Sequence, residues 1–323
     1  MSKRSNIIPY GKDILNPKWP DATWDVGVLF VHDHIMFEWL ETVQQKFNCE
    51  VPIKSVFGCY SVMWSGGRNC SSAYSWDYSG WTPEVFIKEY NNRGINVTYT
   101  FSNTLLKEEH LTDPSSNYLL DLLGKQEYDG NAVTISCDVL SDYIREKYPN
   151  LKQKASIVKV TTERPIKRTF EYYDSLFEKY DLVYIHPDDN LDLKLLEKIA
   201  QSGKQDKYTL LINEPCTRNC SIRNNHYDEI SRAVIDGWHG QFNFTNVQQF
   251  HSPHHPNSIC EKIHRPEIRL CILSEDEFKN VYDLGFRTFK LQGRDVPWNT
   301  MLHNFSVWMF EQDSISEKIF AEN

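Results

Sequence analysis

The sequence predicts an α/β protein built as a (β/α)8, TIM-like barrel, with eight parallel strands surrounded by helices. Two observations support this fold class. Short apolar, β-branched runs alternate with amphipathic stretches, which is the pattern of a parallel sheet covered by helices. There are eight such runs, the number that closes a barrel, and 323 residues is a common length for one. The βα loops contain long insertions, so an incomplete or irregular barrel is the alternative to a regular one.

The predicted strands can be placed one by one. In chain order they are Asp25–Val31, Ile53–Gly58, Asn96–Phe101, Ala132–Ser136, Ala155–Val160, Leu182–Ile185, Tyr208–Asn213 and Arg287–Leu291. A ninth candidate, Ile268–Leu273, either replaces one of them or forms a side strand.

Two of the helices between these strands have clear start and stop signals. Ser141 opens the stretch DYIREKYP, and Pro149 ends it. Ser274 caps the stretch EDEFKNVYDLG, and Gly285 ends it. Both are amphipathic stretches of the kind that cover a sheet.

The chain is expected to form one domain, because no repeat, low-complexity tract or linker divides it. The barrel is predicted over residues 23–295, after an N-terminal extension at 1–22 and before a helical tail at 296–323 that packs on it. Two long insertions, Cys59–Trp81 and Asn219–Arg265, fall in loops that build the active-site face of a barrel.

Composition excludes several classes of protein. With 35 Lys and Arg against 44 Asp and Glu, the net charge is −9, so nucleic acid is an unlikely partner except as a modified substrate. No run of about 18 apolar residues occurs and no signal-peptide pattern opens the chain, so no membrane association and a cytoplasmic location are expected. The eight cysteines are too few for a disulfide scaffold, and their clustering suggests metal binding or catalysis.

The strongest motif follows the strand-like run YTLLIN, where a barrel strand delivers residues to the catalytic face. Cys216 and Cys220 are four residues apart, so on a helix both sulfurs lie on one face. Cys260 and Cys271 follow later, and four thiolates suit either zinc or a [4Fe–4S] cluster. The alternative is that these are buried core thiols.

Polar residues around the motif predict acid–base chemistry. Glu214 is a candidate general base, or a group that orients His226 or a thiolate, although a carboxylate at a helix start is also favoured by the helix dipole. His186, after another strand, is a candidate lining residue, although the sequence there is also typical of a turn.

Four cations at strand ends or in βα loops predict a small anionic substrate. They are Arg68, Arg223, Lys290 and Arg294. Ordinary ion pairs with neighbouring acids are the alternative for Lys290 and Arg294.

Taken together, these segments resemble the collagenase-like peptidase family U32. The similarity rests on Glu-x-Cys-x3-Cys-x2-Arg-x2-His-Tyr from Glu214 to Tyr227, the later Cys260, and the closing phrase GFRTFKLQGR from Gly285 to Arg294. It extends over most of residues 23–295.

The resemblance implies a complete or partial (β/α)8 barrel and, in the iron–sulfur branch, a [4Fe–4S] cluster used in oxygen-independent hydroxylation of small aromatic precursors or RNA bases. It puts Cys216, Cys220 and Cys260 on cysteine positions of the family, with Cys271 as the chosen fourth ligand and Cys137 as the alternative. It also puts Arg223 and His226 on an Arg and a His of the family's pattern, and Lys290 and Arg294 in the family's Lys-Ile-x-Gly-Arg phrase. A catalytic site is therefore expected at Glu214, Arg223 and His226.

Two other functions stay open at this point. A peptidase or zinc-dependent hydrolase would use His251, His254 or His255 with Cys216 and Cys220, because zinc accepts mixed Cys and His ligands. A non-catalytic cluster-binding module would act in assembly, with a partner protein. The leading expectation is an iron–sulfur enzyme that modifies a small anionic or aromatic substrate.

Overall fold

The computed structural model describes residues 16–47, 51–66, 81–126, 128–162, 168–237, 267–293 and 296–311. The strands are β1 Thr23–Val26, β2 Ile53–Gly58, β3 Asn96–Phe101, β4 Ala132–Ile135, β5 Lys152–Ala155, β6 Leu182–Ile185, β7 Tyr208–Leu211, β8 Asn213–Thr217, β9 Leu270–Ile272 and β10 Thr288–Leu291. The helices are α1 Asp33–Phe47, α2 Pro83–Asn92, α3 Pro114–Gly124, α4 Asp138–Lys147, α5 Ile157–Thr162, α6 Phe170–Ser175, α7 Leu193–Gln201, α8 Arg223–Ile235, α9 Glu275–Asp283 and α10 Trp298–Met309.

Eight of the strands close into a barrel, which confirms the predicted fold class. Around the barrel the order is β1, β2, β3, β4, β5, β6, β7, β10 and back to β1, and every neighbouring pair is parallel. Helices follow the strands along the chain, as parallel pairing requires. All eight strands therefore end on the same face, where the side chains of different loops meet.

The fifth strand differs from the prediction. The apolar run Ala155–Val160 was predicted to be a strand, but the strand is Lys152–Ala155, and helix α5 begins at Ile157. The physical reason is that this strand carries the polar side chains Gln153 and Lys154, both of them buried. The apolar signal therefore came from the helix that follows.

The ends of two other predicted strands also shift. The first strand spans Thr23–Val26, and the chain turns after it instead of continuing to Val31. The run Tyr208–Asn213 divides into β7 and the start of β8. The ninth candidate forms a side strand, because Leu270–Ile272 pairs antiparallel with β8 outside the barrel.

The helix signals are partly correct. The Ser274 side chain caps α9 in a capping box with Glu277, and Gly285 follows that helix with a left-handed φ of 94°. Helix α4 begins at Asp138, earlier than the predicted start at Ser141.

Apolar packing surrounds the barrel on its outer side. Trp24 of β1 packs against Phe278 of α9 and Phe289 of β10, with ring centroids 5.7 and 5.5 Å apart. Helix α10 buries an apolar face that includes Met301 and Phe305. Among the described residues, no helix has the length and apolar character needed to cross a bilayer.

Candidate active site

Helix α8 lies across the face where the barrel strands end. Near its start, Arg223 contacts residues that follow β6. In its second half, Ser231 accepts a hydrogen bond from the backbone N–H of Thr104, after β3, at 3.0 Å. The Asn103 side chain donates to the Ser231 carbonyl at 3.2 Å. Since β6 and β3 are separated by two strands around the barrel, this helix covers part of the mouth.

A cavity opens at the strand ends. Its lining consists of Phe57, Thr100, Ser102, Thr134, Ser156, Ile157, Leu211, Lys290 and Gln292. It contains about 360 Å³ of space between atoms, open solvent included. Its lining residues provide four hydroxyls, one amide and one ammonium.

Beneath this cavity, charged side chains cross the inside of the barrel. The Lys154 ammonium lies 3.1 Å from Oδ2 of Asp25, and the Tyr184 hydroxyl donates to the same oxygen at 3.1 Å. Strands β1 and β5, which carry Asp25 and Lys154, are opposite each other in the barrel, so their contact spans its interior. TIM-barrel interiors are usually filled by branched apolar side chains. We call Asp25, Lys154, Tyr184 and Lys290 the axial network.

Lys290 joins the axial network to the cavity. Its backbone is the register partner of Asp25 on the adjacent strand. Its ammonium lies 3.8 Å from the ring centroid of Phe57 and 4.2 Å from that of Tyr184. Burial would raise the pKa of Asp25, yet the charges of Lys154 and Lys290 together hold that pKa below its usual value. Asp25 is therefore an anion that two ammonium groups share.

A second polar group lies at the rim of the barrel. Arg223 is at its centre, with Nη1 3.0 Å from Nε2 of His186. Nη1 and Nη2 each donate to one carboxylate oxygen of Asp188 at 3.2 Å. Nη2 also donates to the Thr217 carbonyl at 2.7 Å. Nη2 is also 3.4 Å from Sγ of Cys271. We call His186, Asp188, Arg223 and Cys271 the rim network.

The rim network is held together around one carboxylate. Oδ1 of Asp188 accepts hydrogen bonds from the Cys271 thiol at 3.1 Å and from the backbone N–H of Asn219 at 3.0 Å. Asn219 has a left-handed φ of 52°, a conformation that asparagine tolerates better than most residues. Burial would raise the pKa of Asp188, but the charges of Arg223 and His186 lower it. Burial raises the pKa of Cys271 to about 12, so its thiol keeps its proton near neutral pH.

The structure brings together three of the predicted site residues, one from each class: a catalytic residue, a substrate-binding residue and a metal ligand. Arg223, His186 and Cys271 meet in the rim network. Glu214 is buried on β8, where its backbone pairs with Cys271 and its Oε1 accepts from the Cys216 backbone N–H at 3.2 Å. His226 lies one turn into α8, and burial lowers its pKa. Their catalytic roles stay predictions.

The predicted metal ligands are only partly within the described residues. Cys216 and Cys220 are half-buried at the end of β8 and in the turn before α8. The Cys137 thiol, after β4, donates to the Asn103 carbonyl at 3.1 Å. Among the residues that the structure describes, no three His, Cys, Asp or Glu side chains are grouped as metal ligands. Outside the described residues lie Cys260, Arg68, Arg294, His251, His254 and His255.

Sequence reasoning missed three members of the axial network. Asp25 and Tyr184 lie in predicted strands, but each was read only as part of an apolar run. Lys154 lay just outside the predicted fifth strand. For Asp25 the available signal was the alternation of strand side chains, which assigns it to the opposite face from its apolar neighbours Trp24 and Val26.

Comparison with known proteins supports the fold. No protein-family model matches the sequence, and no curated protein matches it. The solved structure of the U32 peptidase Mk0906 superposes with a TM-score of 0.52 at 15% sequence identity, covering 84% of this chain and 92% of that one. The class of protein is therefore a closed (β/α)8 barrel. Within that class, its fold is U32-like, as the sequence resemblance implied.

Proposed function

We propose that this protein is an enzyme that acts on a small anionic substrate in the cavity at the barrel mouth. The observation that carries the proposal is that Lys290 contributes the one formal charge among the described lining residues, beside four hydroxyls and the Gln292 amide. An ammonium surrounded by neutral hydrogen-bonding groups is suited to a carboxylate or phosphate. The carboxyl ends of barrel strands are also where TIM-barrel enzymes carry their active sites.

Helix α8 covers part of the barrel mouth, which favours a small substrate over a peptide or an RNA base. The apolar side chains Phe57, Ile157 and Leu211 line the same cavity, and they would contact the carbon skeleton of the substrate.

Binding measurements test this proposal. Calorimetry or ligand-observed NMR with acetate, pyruvate and inorganic phosphate should detect binding to the wild type. Lys290→Met should weaken it about 10- to 100-fold, because a hydrogen bond to a charged group contributes about 1.5–3 kcal/mol. Lys54→Met is the matched control, since Lys54 is exposed on β2. Equal binding by wild type and Lys290→Met would contradict the proposal.

We propose, as a second feature, that Cys216, Cys220, Cys260 and Cys271 hold a [4Fe–4S] cluster. The supporting observation is electrostatic: buried Arg223 interacts with both Cys216 and Cys271, and a buried cation offsets the negative charge of a thiolate ligand set. Cys216, Cys220 and Cys271 are not grouped as ligands among the described residues, so the cluster would have to draw them together, and Cys271 would have to release the proton that it now shares with Asp188. The cluster, when bound, would supply electron transfer or a Lewis-acidic iron.

Metal analysis tests the cluster. Anaerobic purification followed by iron, sulfide and zinc quantification should find about four irons per chain in the wild type. The double variant Cys216→Ala/Cys220→Ala should lose them, while Cys59→Ala, a buried thiol of the core, should keep them. Zinc without iron would support the hydrolase alternative, and unchanged iron in the double variant would exclude these ligands.

A further inference from the structure

The position of Lys290 allows chemistry beyond charge attraction. Lys290 lines the cavity, and its amine nitrogen lies 3.8 Å from the ring centroid of Phe57, another lining residue, and 4.2 Å from that of Tyr184. Lys154 already provides Asp25 with a direct ion pair at 3.1 Å. The axial network therefore has one lysine whose contact is structural and a second that faces the cavity.

We propose that Lys290 forms an imine with a 2-oxo acid bound in the cavity. This inference rests on the proposed function, because the carboxylate of the 2-oxo acid is the anionic group that the cavity binds. An enclosed lysine beside apolar rings is a common arrangement for an imine-forming amine. The protonated imine keeps the positive charge of Lys290, so the bound carboxylate retains its counter-charge after the reaction.

The step balances without any oxidant or reductant. The ammonium of Lys290 releases one proton, the resulting amine attacks the carbonyl carbon, a C–N bond forms, and the electron pair of the C=O double bond moves to oxygen. That oxygen takes up the released proton and a second proton from the nitrogen, the C–O bond breaks, and water leaves, so the nitrogen becomes a protonated imine. Hydrolysis reverses the step and returns the amine.

Groups that can handle these protons lie next to the amine. Tyr184 has its ring centroid 4.2 Å from the Lys290 nitrogen, and its hydroxyl is bonded to Asp25. Burial, with the nearby charge of Asp25, raises the pKa of Tyr184 well above its usual value, so the phenol carries its proton at neutral pH. Ser156 and Thr134 add hydroxyls on the cavity wall that suit the carbonyl oxygen.

Reductive trapping of the full-length protein tests the imine. The protein is incubated with pyruvate and sodium cyanoborohydride, and the product is examined by intact mass and peptide mapping. We expect one reduced pyruvate adduct per chain, located on Lys290, with exposed Lys54 unmodified in the same sample. Acetate should protect Lys290, because it competes for the cavity but cannot form an imine.

Two variants separate this inference from the proposed function. Lys290→Arg keeps the cation but cannot form the imine, so it should bind acetate and lose the adduct. Lys290→Met should lose both. The imine proposal would be wrong if the wild type carried its adducts on exposed lysines, or if peptide mapping found no adduct on Lys290. In that case the proposed function would still hold if the wild type bound acetate and Lys290→Met did not.

Discussion

The two buried polar networks differ in how their charges are balanced. In the rim network, the guanidinium of Arg223 meets the carboxylate of Asp188 in a two-point contact, and a thiol, an imidazole and two backbone groups complete the cluster. In the axial network, one carboxylate, Asp25, faces two ammonium groups, and one of these lines a cavity. The rim is charge-balanced, whereas the axis has an additional cation beside an open space.

This difference underlies our proposal that the rim network stabilises the fold and that the axial network takes part in binding a ligand. The rim contacts join residues far apart in sequence, since Asp188 follows β6, Arg223 begins α8 and Cys271 lies on β9. They fix the start of the helix that covers the mouth. The axial network reaches the cavity through Lys290, which is one of the lining residues.

The largest effect is expected where the rim is broken. Arg223→Met leaves the buried carboxylate of Asp188 without its guanidinium, and breaking a buried pair in this way costs about 3–5 kcal/mol. The free energy of unfolding, measured by urea denaturation, should fall by that amount.

The control is an exposed arginine ion pair in the same region. Arg269 pairs with Glu277 at the surface, and Arg269→Met should change stability by no more than about 1 kcal/mol, because solvent screens such pairs. Equal losses in the two variants would mean that the rim network has no special stabilising role.

The sequence predicted the barrel well, because an apolar run can be recognised from neighbouring residues alone, without knowledge of the tertiary structure. Six of the eight predicted strands overlap a barrel strand over most of that strand's length, and the first covers half of β1. The fifth failed because the buried polar side chains of Gln153 and Lys154 interrupt the apolar pattern of the strand, and the apolar run belongs to helix α5. The contact of Cys271 with Asp188 spans 83 residues, and no local spacing specifies it.

The candidate site was predicted at the rim, where a dense motif is visible in one stretch of sequence. The axial network is spread over four strands, and it becomes visible only when the barrel closes. Lys290 was predicted to bind substrate, but nothing in its own segment identifies Asp25, Lys154 or Tyr184 as its neighbours.

Asp33 is a buried carboxyl outside both networks, and we expect it to make the stability of the protein depend on pH. Its Oδ1 accepts a hydrogen bond from the Tyr90 hydroxyl at 2.9 Å, and burial raises its pKa to about 7. The folded protein therefore holds this proton more tightly than the unfolded chain. The resulting stabilisation is complete at low pH, and about 4 kcal/mol of it is lost as the pH rises from about 4 to above 7.

Asp33→Asn should remove this pH dependence. Urea denaturation at several pH values between 4 and 8 should show the variant gaining on the wild type as the pH increases. Asp129→Asn, at an exposed position, serves as the control and should follow the wild type throughout. A constant difference between Asp33→Asn and wild type across this range would show that Asp33 is ionised in the folded protein.

The smallest stability effect is expected at the residue with the largest effect on binding. Lys290→Met removes the additional cation but leaves Asp25 bonded to Lys154 and Tyr184, and the Met side chain fills similar space. The contact of the Lys290 ammonium with the rings contributes about 0.5–2 kcal/mol to stability, and the variant loses it. Removing a second buried charge offsets this loss, so the free energy of unfolding should change by no more than about 1 kcal/mol.

Lys154→Met provides the contrast within the same network. It breaks the direct ion pair of Asp25, so it should lower the free energy of unfolding by about 3–5 kcal/mol. If Lys290→Met were as destabilising as Lys154→Met, both lysines would be needed to neutralise the barrel interior, and the axial network would be structural like the rim. A stable Lys290→Met protein that no longer binds acetate would instead assign Lys290 to the ligand.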